Sequence, residues 1–92
     1  MTHEERANDL CRRACELVKA RGTGSEAGLL EYTNVGMTIQ YSYFSKTHRL
    51  SVRTKAANVL VVEWWDTGNS DILLYKPGLW ETRLKHLTRG AL

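Results

Sequence analysis

From residue 37 to residue 76 the chain falls into four short segments of alternating, β-rich character, separated by gaps of only a few residues. "MTIQYSYF" (37–44), "RLSVRTK" (49–55), "NVLVVEWWD" (58–66) and "DILLYK" (71–76) each read as a strand. A parallel crossover needs about a dozen residues or more, so gaps this short force neighbouring strands to run antiparallel. "LLEYT" (29–33) adds a shorter fifth candidate, after a Gly/Ser-rich linker "GTGSEAG".

Either side of this region the period changes to that of a helix. Ala7, Leu10, Cys11, Ala14, Leu17 and Val18 make one apolar stripe. Thr2 and Glu5 have capping-box spacing, and Gly22 is a stop suited to a left-handed C′ conformation. After Pro77–Gly78 breaks the sheet, Leu79, Trp80, Arg83, Leu84 and Leu87 lie near a second, shorter stripe. The expected fold is one α+β domain over residues 1–92: an N-terminal helix, an antiparallel meander of four to five strands, and a short C-terminal helix. The expected core is Leu10, Ala14, Leu17, Ile39, Tyr41, Leu50, Val52, Leu60, Val62, Trp64, Leu79 and Leu84.

Successive strand residues point to opposite faces, so Trp64 and Trp65 cannot share one core. Taking "SKTH" as a four-residue loop sets Phe44 opposite Arg49, Tyr43 opposite Leu50, Tyr41 opposite Val52 and Ile39 opposite Thr54. In the next hairpin, Leu50 opposite Trp64 also sets Val52 against Val62 and Thr54 against Leu60. A one-residue slip would bury Arg49 or Arg53, which is costly. Trp64 then belongs to the core, and Trp65 shares the second face with Phe44, Arg49, Arg53, Val59, Val61 and Glu63. The register of the last hairpin stays open, because Ile72 and Leu74 fit either face, as do Leu73 and Tyr75.

That second face is too apolar for bare solvent and too charged for an ordinary core. A helix, a second copy of the chain, or a ligand or partner are the three covers open to it. Two helices on one face, with the other left for self-association, is the preferred arrangement. An apolar patch on an uncovered sheet face marks an interaction site, and two-fold dimers are the commonest oligomers.

Candidate chemistry is sparse. Cys11 and Cys15 stand at i, i+4 on the first helix, but no second ligand pair accompanies them, so they read as packing residues and not as a metal site. A nucleophilic Cys would need a nearby His, and His48 in a loop and His86 near the chain end read as solvated. Glu63, mid-strand beside two tryptophans, is the most interesting carboxylate. A cross-strand pair with Arg49 or Arg53, or a gatekeeper role on an apolar strand, explains it without catalysis. Asp66 and Asp71 flank "TGNS" and read as turn residues.

The net charge is +3: +1 on residues 1–21, zero on 22–77 and +2 on 78–92. This mild excess permits nucleic-acid contact without announcing it. Two cysteines suit a reducing cytoplasm, and no apolar run reaches the roughly 18–20 residues of a membrane span. The functional expectation is therefore a small non-enzymatic cytoplasmic protein without cofactor or metal. It self-associates, most simply as a dimer, through Phe44, Arg49, Arg53, Glu63 and Trp65. The same face could take a protein or small-molecule partner. The alternative is nucleic-acid binding, with aromatic rings for bases and arginines for phosphates.

Overall fold

The computed structural model describes residues 1–26 and 28–91. Helix α1 (His3–Arg21) starts as its capping box predicts. The Thr2 hydroxyl accepts from the Glu5 N–H, and the Glu5 carboxylate accepts from the Thr2 N–H, each at 3.1 Å. Its apolar stripe, Ala7 to Val18, is buried. Gly22 ends the helix in an extended conformation (φ −75°, ψ 164°) and not the left-handed one expected of it. Its need for glycine is steric: a Cβ there would run into the Val18 carbonyl oxygen.

The chain passes directly from Gly22 into β1 (Thr23–Glu26), then β2 (Leu29–Asn34), β3 (Met37–Phe44), β4 (Thr47–Arg53), β5 (Asn58–Trp65) and β6 (Ser70–Tyr75). All neighbours pair antiparallel in the order β1-β2-β3-β4-β5-β6. The sheet thus has six strands where four to five were expected. The extra one, β1, comes from the stretch that composition marks as a linker. It is an edge strand with no apolar alternation to announce it. Helix α2 (Trp80–Ala91) completes the α+β fold.

Two hairpins turn more tightly than expected. Phe44 pairs with Thr47, so the β3–β4 turn is only Ser45–Lys46, both at positive φ (51° and 73°) as a type I′ turn requires. Tyr41 therefore faces Leu50 and Ile39 faces Val52. In the next hairpin Leu50 faces Val62, and Trp65 faces Thr47 instead of Arg49. Both registers differ from expectation by two residues, and a two-residue shift leaves every side chain on its face.

The last hairpin carries a bulge between Val61 and Val62, opposite Ile72 and Leu74. It puts Ile72 and Tyr75 toward the helices. A second irregularity between Val52 and Arg53 brings Val59 into the helix-side core, not onto the second face as expected.

Both helices lie on one side of the sheet. Trp80 and Leu84 of α2 join the same buried cluster as α1, Ile39, Leu50, Val52, Leu60 and Val62. The expected core is buried apart from Trp64, which is half-buried against it, and Leu79, which is 90 % exposed. Leu79 precedes the first helical residue. Trp80 turns inward in its place, with Nε1 donating to the Lys76 carbonyl at 2.7 Å. Among the described residues no helix is long and apolar enough to cross a membrane.

Candidate functional site

The sheet register assembles the second face row by row. Phe44, Thr47 and Trp65 form one row; Ser42, Arg49, Glu63 and Asp71 the next; Gln40, Ser51, Val61 and Leu74 a third; Thr38 and Arg53 a fourth. Strand β2 adds Leu29, Glu31 and Thr33 along one side. All five sequence-predicted residues therefore share this face. Phe44 is 82 % exposed, Arg49 and Arg53 are exposed, and Glu63 and Trp65 are half-buried. Val61 is buried at the centre of the face yet lies outside the helix-side core cluster.

The charges of this face are arranged in strips. Arg49 and Arg53 lie on β4, with Glu31 two strands to one side and Glu63 and Asp71 on the two strands to the other. Two arginines against three carboxylates leave the face close to neutral. Arg49 stands directly opposite Glu63, as cross-strand partners do. Even so, among the described residues Arg49, Arg53, Glu63 and Asp71 make no ion pair. Glu31 is engaged, accepting from Gln40 Nε2 at 2.6 Å. Among the described residues the face thus presents two arginines and three carboxylates that no ion pair within the chain neutralises.

On the helix side the structure gathers a cluster that sequence reasoning assigned elsewhere. His48 is not solvated; its side chain is 17 % exposed. Its Nε2 lies 2.6 Å from an Asp66 carboxylate oxygen, and its Nδ1 lies 2.6 Å from the Tyr41 hydroxyl. The arrangement that satisfies all three groups has Nε2–H donating to the carboxylate and Tyr41 donating to Nδ1. Tyr43 also donates to Asp66, at 3.3 Å. Asp66 is therefore a side-chain anchor between the end of β5 and the β3–β4 hairpin, where a simple turn role was expected. Asp71, the other expected turn residue, is a β6 residue on the second face.

The His48 ring stacks on Trp64, with centroids 5.0 Å apart and planes 5° from parallel. Tyr41 stacks beside both, and Lys19 Nζ lies 5.1 Å from the centre of the Tyr41 ring. The hydrogen bond from His48 holds the Asp66 carboxyl below its ordinary value. Burial, with smaller help from Cys15 and other neighbours, raises the Tyr41 hydroxyl. The phenol therefore stays protonated as the donor this network needs.

Cys11 and Cys15 are buried, free thiols on α1. Burial first, and then its neighbour Cys15, push the Cys11 thiol up to about 12; burial raises Cys15 as well. Protonated thiols are poor nucleophiles and poor metal ligands. Among the described residues no group of His, Cys, Asp and Glu is placed to hold a metal ion. Among the described residues His48 forms no pair with a cysteine, since both its ring nitrogens are engaged by Tyr41 and Asp66.

Little in the sequence could have revealed the Tyr41–His48–Asp66 cluster. Tyr43–His48 and His48–Trp64 are cross-strand neighbours only in the two-residue-turn register, which the Ser45–Lys46 dipeptide does not advertise. Comparison with protein-family models, with curated proteins and with solved structures finds no match to this chain.

Proposed function

We propose that this chain is a small, non-enzymatic, cytoplasmic protein that self-associates as a two-fold dimer through the uncovered face of its sheet. The observation that carries this reading is the set of unneutralised charges on that face. A two-fold axis lying along the strands between β4 and β5 would set Arg49 of each copy over Glu63 of the other. The same operation brings Trp65 over the second copy's Thr47. A cation strip beside an anion strip is self-complementary under such a rotation, as a two-fold interface requires. Phe44 and Trp65 supply the aromatic anchors that concentrate binding energy in interfaces. The same near-neutral balance works against the nucleic-acid alternative, because a polyanion would meet three carboxylates beside two arginines.

Light scattering after gel filtration tests the proposal. The expected result is a mass of two chains that persists at high salt and falls to one chain in Trp65→Arg. A single-chain mass for the wild type across concentrations would overturn it.

A further inference from the structure

We infer that the cleft between α1 and the β5–β6 edge is a binding site for a small planar aromatic carboxylate, its ring against Trp64 and its charge at Lys19. The cleft lies on the opposite side of the sheet from the dimer face and does not depend on it. Its volume is about 380 Å³, within the roughly 300–1,000 Å³ of small-molecule sites. Its walls are mostly apolar, formed by Cys11 and Cys15 of α1 and by Val62 and Trp64 of β5.

Three features of the walls define the ligand. The first is a rigid aromatic plate. Trp64 is half-buried, and its indole is backed by the parallel His48 ring, which Asp66 and Tyr41 fix in turn. A plate fixed before binding costs a ligand little ordering entropy, and flat rings stack on it in offset fashion. The second is an apolar wall without charge. The Cys11 and Cys15 thiols are protonated, so they neither repel an anion nor attract a metal.

The third is an available cation. Of the charged residues at the cleft, Arg12 is held by Asp9 at 2.9 Å and by Glu16 at 3.2 Å. Those contacts occupy Glu16 as well. Lys19 makes no ion pair among the described residues; its Nζ rests near the Tyr41 ring and the Cys15 thiol. The unneutralised charge at the cleft is thus positive, and it stands beside the aromatic plate. That combination selects an anionic aromatic over a neutral or cationic one.

The test uses 2-naphthoate and its neutral counterpart 2-naphthalenemethanol, titrated into the full chain and followed by two-dimensional ¹H–¹⁵N NMR. Naphthoate is expected to shift the Trp64 indole N–H and the Cys11 and Cys15 amides, with a dissociation constant of about 1 mM or below for a ligand of this size. Lys19→Gln, a change on the exposed face of α1, is expected to weaken naphthoate roughly three- to tenfold and to leave the alcohol unchanged. Cys15→Leu fills the cleft and is expected to abolish both. If it fails to fold, Lys19→Gln still decides the question. Shifts confined to Trp65 and Phe44, no shift at Trp64, or equal binding of naphthoate by wild type and Lys19→Gln would each overturn the inference.

Discussion

Charge exchange between two variants gives the sharpest test of the dimer geometry. In the proposed arrangement each Arg49 lies over the second copy's Glu63, and two-fold symmetry makes that contact occur twice. Arg49→Glu replaces both attractions with carboxylate–carboxylate repulsions, and Glu63→Arg replaces them with guanidinium repulsions. An exposed pair is worth up to about 1 kcal/mol, and reversal loses the attraction and adds a comparable repulsion. Over two contacts the cost is about 2–4 kcal/mol, which is roughly a 30- to 1,000-fold rise in the dimer dissociation constant. Each variant alone should therefore dissociate at protein concentrations roughly 30- to 1,000-fold above those that dissociate the wild type. An equimolar mixture should recover a dimer containing one copy of each variant. In that mixed dimer one of the two contacts is the native pair, and the other is the same pair with its signs exchanged, so both attract. Sedimentation velocity on the two variants and on their mixture measures this directly. Within one chain the same substitutions cost at most about 1 kcal/mol, since Arg49 and Glu63 are cross-strand neighbours that form no ion pair. Urea unfolding of each variant provides that control. A mixture that stays monomeric while the wild type is dimeric would refute the proposed pairing.

Unfolding measurements check three features of the fold. Val35 sits at φ 34° in the two-residue turn that it forms with Gly36, a conformation that β-branched residues resist. Val35→Asn should raise stability by about 1 kcal/mol in urea unfolding; the Arg83 bond is to the Val35 backbone carbonyl and survives the change. Leu84 is fully buried where α2 meets the core, so Leu84→Ala should cost about 3 kcal/mol, and a loss under about 1 kcal/mol would mean that α2 is not seated there. Asp66 has a folded pKa below its ordinary value of 3.8, first because of the His48 hydrogen bond. A lowered carboxyl pKa contributes stability above the unfolded value, and that contribution is lost as pH falls through the folded one. The urea midpoint should therefore drop more steeply between about pH 5 and pH 2 in the wild type than in Asp66→Asn.

The faces of the sheet were more legible than its registers, and for a physical reason. Side chains alternate with period two, so reading the β3–β4 turn as "SKTH" instead of Ser45–Lys46 moved partners by two positions and changed no face. Phe44, Arg49, Arg53, Glu63 and Trp65 thus came out together although Trp65 opposes Thr47. The last hairpin resisted because its bulge breaks the alternation: Ile72 and Tyr75 both turn toward the helices, an odd number of residues apart. The turn itself was hidden because Ser and Lys, not Asn and Gly, occupy its two positive-φ positions. Leu79 misled because helical spacing continues backward past the true start of α2, where Trp80 takes the inward position. The Tyr41–His48–Asp66 cluster depends on the register itself and not on face alone, so it could emerge only from the folded chain.

The strand order β1-β2-β3-β4-β5-β6 means that every strand pairs with its sequence neighbour. Such a sheet can zip hairpin by hairpin through short loop closures, which is the low-contact-order regime of fast folding. The exceptions are the contacts of α1 with the strands it covers and with α2, and of these the packing of the first helix against the last is the closure that spans the whole meander. That contact has the largest loop entropy to overcome, and a transition state with a formed sheet and an undocked α2 is the natural consequence. Substitutions at Leu84 would then accelerate unfolding while leaving the folding rate nearly untouched.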